Sequence, residues 1–497
     1  MSTQMSTAGG SEMFSYSTAL RGIALSMLMV ATMASAAEFK SGEVIVKYKD
    51  GSFRTRTTMN SLYDAAGVET VQRYSELMGG MEHLLLKENV KVQDAIAELM
   101  RNDNVEYAQP NYIMHIYPVF EESSAAANPS NDRSANDWQL PCIYPGVHFP
   151  PNCKDWSFPS PPPKKNEPNG SRPELATAPV EVNPPVEDPD LSRAYGLEIT
   201  GATRAWKIHR GDKKFLIADI DTGVDYNHED LAGNIWRNPN PSEKKDVVGY
   251  DFIHEDGLPF DDQSHGTHTA GTIAAVGGNG IGISGIIPKV SLMSVKFLDK
   301  QGSGTTANAI RAIDYAVEHG AKILSNSWGG PGDENNDAMK EAIVRAQAKG
   351  VLFIAAAGNG DAFGRGIDND SSNQKDYPAS FDVDNIISVA ATDNNDQLTS
   401  FSNYGKTSVH LAAPGLKVYS TLPGNKYKAE SGTSMSCPHV AGAAALVWSM
   451  HPNWNYKQVK KALLNSVDKL PSLDGKVISG GRLNVEKALR MTLTSMD

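Results

Sequence analysis

From about residue 188 onward, short and mostly apolar runs bounded by turn residues alternate with longer segments whose apolar positions recur every three or four residues. The runs KFLIADID, SLMSVKFLD, AKILSNSWG, GVLFIAAAGN and NIISVAATD predict strands. Between them, TTANAIRAIDYAVEHG and NDAMKEAIVRAQAKG predict amphipathic helices. Strands this apolar are covered on both faces, so the pattern predicts an α/β fold with a mostly parallel central sheet and helices on both sides. In such a sheet, functional groups gather beyond the carboxyl ends of the strands.

Two other patterns come first. In residues 42–116, GEVIVKYKDG reads as a strand, MNSLYDAAGV as a helix start, MEHLLLKE as a strand, KVQDAIAELMRN as an amphipathic helix and VEYAQPNYIMHIY as a last strand. This is a small α+β unit without catalytic groups. Residues 117–187 lose all periodicity. FPSPPPKKNEPNG and VEVNPPVEDPD are rich in Pro, Asn and Glu and predict a linker with no core of its own. The expected division is therefore 1–37, 38–117, 118–187 as linker, and 188–497 as the main domain.

Composition narrows the class. With 497 residues the chain exceeds one typical domain, and 40% apolar against 21% charged residues suits a soluble globular protein. A formal net charge of −12 speaks against non-specific nucleic-acid binding and suits acidic sites for a hard cation. Arg21 precedes the apolar run 22–30, and Ala34-Ser35-Ala36 offers a cleavage site, so residues 1–37 read as an export signal, with Met13 an alternative start. That run is shorter than the ~20 residues of a spanning helix. A secreted or periplasmic monomer with no membrane anchor is expected. Cys142 and Cys153, in the Pro-rich stretch, are expected to form a small loop disulfide, and Cys437 reads as a buried packing thiol.

Four polar residues fall at element ends. Asp221 closes KFLIADID, His265 opens the Gly- and Ala-rich helix of SHGTHTAGTIAA, Asn359 follows FIAAAG, and Ser434 opens the helix of SGTSMSCPHVAGAAALVW. Each has a plain alternative, as a turn, a cap or a loop residue. Together they supply what an alcohol nucleophile needs: a base, a carboxylate to orient that base, and a donor for the oxyanion.

The motifs DTG, HGTHTAG, AAAGN and GTSMSCPHVAG resemble the signatures of subtilisin-like serine proteases, in that family's Asp, His, Ser chain order. The stretch DPDLSRAYGLEITGATRAW resembles the N-terminal segment of thermitase-type members. The resemblance covers residue 188 to about 490. It implies that Asp221 orients His265, that His265 is the general base, that Ser434 attacks, and that Asn359 with the Ser434 N–H binds the oxyanion. It makes residues 38–117 a ferredoxin-like inhibitory propeptide, so the chain is expected to be a self-processed zymogen cut between about 117 and 187. Its partners are then protein or peptide substrates and its own propeptide.

The same resemblance implies a substrate cleft between Gly302-Ser303-Gly304 and Ser327-Trp328-Gly329, with Trp328 and Gly329 lining the primary pocket. The plain alternatives are a flexible turn and a core aromatic. The loop 360–377 borders that pocket, and its acids open a preference for basic side chains beside the apolar one. A structural Ca²⁺ site is implied at Asp188, Asp230, Val276, Asn279, Ile281 and Ile283, with Asp190 an alternative to Asp188. At a second cation site, Asp251 and Asp256 match, but His254 and Leu258 replace oxygen-bearing residues, so a weakened or absent ion is expected. Asp219 stands two residues before Asp221 on the same strand face, and the sequence names no partner for it. Two other readings stay open: a narrow-specificity maturation protease of the same fold, and a catalytically silent binding protein.

Overall fold

The computed structural model describes residues 37–51, 55–73, 81–117, 172–176, 186–243, 245–331, 335–361 and 363–494. The expected export signal, apart from residue 37, and the expected Cys142–Cys153 pair lie outside the described residues, as does most of the linker.

The N-terminal unit runs strand Phe39–Tyr48, helix Arg56–Ala65, strand Val68–Arg73, strand Met81–Leu86, helix Val92–Leu99 and strand Val105–Ile116. The four strands are antiparallel, in the spatial order last, first, third, second. This is the ferredoxin-like arrangement. Val68–Arg73 has no counterpart in the sequence reading, since VETVQR carries only two apolar residues. Tertiary pairing with Met81–Leu86 makes it a strand. The unit has its own core, including Val44, Val46, Leu84 and Leu99.

The main domain is built on a nine-stranded sheet. In spatial order its strands are Asp468–Lys469, Gly481–Arg482, Leu411–Pro414, Ile386–Thr392, Leu352–Ala356, Ile323–Asn326, Gly211–Asp221, Lys289–Lys296 and Gly249–Asp251. All pairs are parallel except the first, an antiparallel edge. The central strands Ile323–Asn326, Leu352–Ala356 and Ile386–Thr392 are buried along their whole length, as two-sided covering demands. The helix Thr433–Met450 is buried from Thr433 to Trp448. A helix apolar all round lies in the interior, and this one packs on the sheet beside the helix His265–Ala274.

The two units share a second sheet. The C-terminal half of Val105–Ile116 leaves its own unit and pairs antiparallel with Ser303–Thr305 on one side and Trp328–Pro331 on the other. The predicted run AKILSNSWG thus divides at Ser327: its first half enters the central sheet and its second half receives the N-terminal unit.

Candidate active site

Asp221 is the last residue of Gly211–Asp221, at the carboxyl end of a central strand. Its Oδ1 accepts from the Thr222 N–H at 2.7 Å and from His265 Nδ1 at 2.8 Å. Both side chains are 1% exposed. A carboxylate only accepts, so Nδ1 carries the proton and Nε2 keeps its lone pair. Nε2 has no hydrogen-bond partner among the described residues. Burial disfavours the imidazolium, but the charge of Asp221, its hydrogen bond and the charge of Glu430 outweigh that penalty, and the pKa of His265 lies above its ordinary value.

Asp261, which the sequence reading passed over, builds the loop that presents this imidazole. Buried at 1% exposure, it accepts from the N–H groups of Gln263, Ser264 and Thr267 and from the hydroxyls of Thr222 and Thr267. It thereby ties the residue after Asp221 to the start of the His265 helix. No capping pattern signals it in the sequence, because the residue directly before the helix is Ser264 and Asp261 stands four residues before His265.

Ser434 sits in the first turn of its helix and is 1% exposed. Its hydroxyl donates to the Ser327 carbonyl at 3.0 Å, and the Ser327 hydroxyl donates back to the Ser434 carbonyl at 2.9 Å. The expected hydrogen bond to the base is thus not made in this state, because a carbonyl oxygen satisfies the hydroxyl instead. Asn359 stands beside the same turn. Its Oδ1 accepts from the Thr433 N–H at 2.8 Å and the Thr433 hydroxyl at 2.7 Å. The carboxamide oxygen is therefore occupied and Nδ2 faces Gly432, where a Cβ would come within 2.9 Å of it. Cys437 is fully buried and burial pushes its pKa up to about 12, so it is a packing thiol.

Asp219 finds its partner in the tertiary structure. Its Oδ2 lies 2.8 Å from the Thr269 hydroxyl, which also lies 3.0 Å from the Gly266 carbonyl. The Thr269 hydroxyl donates to Asp219, with the Gly266 carbonyl its other near acceptor. Full burial and the neighbouring Asp221 charge push the Asp219 carboxyl well above its ordinary range.

A serine hydroxyl, an oriented imidazole and a buried carboxylate thus lie at the carboxyl-end side of the central strands. Residues 212–481 match the Subtilase family, Peptidase S8. The chain belongs to the subtilase family. Residues 26–111 match the Fervidolysin N-terminal prodomain. The chain is similar to Thermitase from Thermoactinomyces vulgaris, 40% identical over 299 residues, covering 60% of this chain and 96% of that one. It is also similar to Subtilisin DY from Bacillus licheniformis, 36% identical over 294 residues, or 59% and 97% of the two chains. Among solved structures, fervidolysin from Fervidobacterium pennivorans, described as a keratinolytic enzyme related to subtilisin, shares the fold with a TM-score of 0.64 at 23% identity. That match covers 91% of this chain and 61% of that one. The protein is thus a serine-type endopeptidase of the subtilase family carrying a prodomain.

The prodomain strand lies between the two segments expected to clamp a substrate. Ile113, Met114 and His115 pair with Thr305, Gly304 and Ser303, the Ile116 N–H donates to the Gly302 carbonyl at 2.8 Å, and His115 and Ile116 pair with Gly329 and Trp328. Gly302 has φ +74, and a Cβ there would strike the Ile116 side chain at 2.5 Å. The next residue, Tyr117, packs into the space between Gly329 and Ala356, where the primary pocket is expected. Its hydroxyl is 3.5 Å from the Ala356 carbonyl, and its ring occupies the place a Gly329 side chain would take. Trp328 corrects the sequence reading: its ring is fully buried, Nε1 donates to the Ile220 carbonyl at 2.8 Å, and it packs edge-on against Phe297. Alternation turns this side chain into the core, and only its backbone meets the cleft. The acids of the pocket loop are engaged locally. Asp361 pairs with Arg365, and buried Asp376, with a pKa pushed up to about 7, accepts from Asn403 at 2.5 Å.

The residues expected to hold a cation surround the loop 276–283. Asp188 accepts from the N–H groups of Gly278, Asn279 and Gly280, while Asp190 sits outward against Arg193 and Tyr419. Asp188 is thus the acid that faces the loop. Asp230 is fully buried and accepts from Ile283 N–H and Asn279 Nδ2, each at 2.9 Å, and from the Tyr427 hydroxyl at 3.2 Å. Those donors are neutral, and burial pushes its pKa up to about 7. Among the described residues no three His, Cys, Asp or Glu side chains converge, so an ion here would depend on amide and backbone oxygens. At the second candidate site, Asp251 and Asp256 hold a guanidinium, that of Arg172.

Proposed function

We propose that the chain is a secreted subtilase zymogen that processes itself and hydrolyses peptide bonds through Ser434, His265 and Asp221. One observation carries this reading: a buried imidazole held by a carboxylate at 2.8 Å, with Nε2 unpartnered, beside a cleft in which an extended strand is already paired. In the reaction the Ser434 hydroxyl leaves the Ser327 carbonyl, gives its proton to His265 Nε2 and attacks the scissile carbonyl carbon. Asn359 Nδ2 and the Ser434 N–H receive the oxyanion, and the helix N-terminus adds its dipole. His265 then passes the proton to the departing amine, and water repeats the sequence to free the acyl group. Asp221 stabilises the imidazolium throughout. Export is supported by the sequence of residues 1–37; among the described residues no helix is long and apolar enough to cross a membrane.

The kcat/KM profile tests the base. His265 must be neutral to accept a proton, so activity rises as pH rises through its pKa. Prodomain release removes part of the burial that opposes the imidazolium, so the shift stays upward. The midpoint of the acid limb is expected above pH 6.5 with a synthetic peptide substrate, and a midpoint at or below 6.5 contradicts the assignment.

Tyr117 in the pocket supports preference for a large aromatic residue on the acyl side of the cut. Pro118 follows it, and its nitrogen carries a ring carbon in place of hydrogen. That carbon crowds the nitrogen His265 must protonate, so the first processing cut is expected downstream. Pro118→Ser should create a new N-terminus at position 118, detectable by mass spectrometry. The same terminus in the unmodified protein contradicts the steric argument.

The loop 276–283 suits calcium: buried Asp230 has only neutral partners, and carboxylate, amide and carbonyl oxygens are the donors that ion prefers. Asp188, Asp230, the Asn279 amide and the carbonyls of Val276, Ile281 and Ile283 would hold it, supplying charge balance and no chemistry. The Asn279 amide, now with nitrogen toward Asp230, would turn over. Calcium at a thousand times its Kd is expected to stabilise the protein by about 4 kcal/mol. Chelation should lower Tm accordingly, and Asp230→Asn should abolish the calcium dependence. A Tm indifferent to chelator removes the site.

A further inference from the structure

Residues 172–176 belong to the linker by sequence, yet the catalytic domain grips every one of them. Arg172 inserts its guanidinium between two carboxylates. Nη1 donates to Asp251 Oδ2 at 2.8 Å and to the Leu258 carbonyl at 2.9 Å, and Nη2 donates to Asp256 Oδ2. Asp251 is fully buried and the Arg172 side chain is 14% exposed. The Pro173 carbonyl accepts from the Tyr226 hydroxyl at 2.8 Å. Asn227 holds the backbone twice, donating to the Glu174 carbonyl and accepting from the Ala176 N–H, each at 2.8 Å. Leu175 packs against the main core, and Arg237 donates to the Ala176 carbonyl at 3.1 Å.

These contacts act as one. A short extended segment fixed at several points re-forms any single broken contact faster than it escapes. The arginine contact is the costly one to lose, because it leaves a buried carboxylate and its neighbour without their shared cation. A protease also needs an extended backbone with free N–H and carbonyl groups, and here three carbonyls and one N–H of the arm are already engaged. The loop that Arg172 closes, 251–264, runs directly into His265.

We propose that residues 172–176 are a permanent arm of the catalytic domain, anchored by Arg172, and that release of the prodomain therefore cuts the chain between residues 118 and 171. The second half rests on the reading of the chain as a self-processed zymogen. The first half does not.

The test separates them. Full-length Ser434→Ala chain, treated with an added subtilisin-type protease, is expected to yield a catalytic domain whose N-terminus by intact mass lies at or before Arg172. Trimming past Arg172 overturns the arm. In that background Arg172→Met is expected to lower Tm by on the order of 5 °C and to move the limiting N-terminus past residue 176. Either change supports the anchor, and neither overturns it. Arg172→Lys, which keeps the charge but reaches only one carboxylate, should fall between and stands in if Arg172→Met does not fold. The chain with Ser434 intact then reports processing alone: an N-terminus from 119 to 172 is expected, and one beyond 172 overturns the cut site. Failure to self-process discards the zymogen reading and leaves the arm result standing.

Discussion

Ser434→Ala is expected to lower kcat by about 10⁶-fold, a figure known from subtilisin itself, and to leave the prodomain covalently attached. The substitution removes only the Oγ, whose single hydrogen bond to the Ser327 carbonyl is weak and local. The helix Thr433–Met450 is held by its buried length, not by this hydroxyl. Tm should therefore change by less than a degree or two while activity disappears. The residual rate, about 10³–10⁴ over water, would come from the oxyanion donors and from substrate pairing in the cleft. Active-site labelling with a fluorophosphonate and mass spectrometry of the processed chain read both outcomes. A variant that still removes its prodomain unaided would falsify the role of Ser434.

Asn359→Leu should cost about 10²–10³ in kcat with KM little changed, again the magnitude of the corresponding donor in subtilisin. Leucine keeps the volume but loses Nδ2, the group turned toward Gly432, and Oδ1, the acceptor for Thr433. Loss of Nδ2 is felt only when negative charge appears on the attacked oxygen, which is why kcat falls and substrate affinity does not. Loss of Oδ1 frees a buried N–H and should lower stability by about 1–3 kcal/mol. Asn359→Asp separates the two, since it keeps the acceptor and removes the donor. If Asn359→Asp retains full kcat, Asn359 is not an oxyanion donor.

Much of the catalytic centre was legible one-dimensionally because each group sits where a strand or helix ends. Asp221 closes an apolar strand, and His265 and Ser434 open helices of small residues, so periodicity puts each at an element end. The resemblance of their motifs to a family joins them into one site. Asp219 shows where that reading stopped. Alternation gave its face, but Thr269 lies 50 positions away, and only packing of the His265 helix on the strand brings the pair together. Trp328 shows the opposite error. Its place between Ser327 and Gly329 suggested a pocket wall, yet the ring fills the core behind the strand, and Gly329 shapes the pocket by having no side chain.

In the sequence by itself, local patterns of burial and chain reversal carry the α/β class, the order of the chemical residues and the turns that bear them. The role of residues 38–117 as a prodomain came from family resemblance, because their own pattern is that of any small α+β unit. What only the folded chain shows is that Ser434 rests on the Ser327 carbonyl, that Tyr117 packs against Gly329, and that a linker arginine binds between Asp251 and Asp256. Each of these joins segments tens or hundreds of residues apart, through side-chain reach and charge balance that no local pattern records.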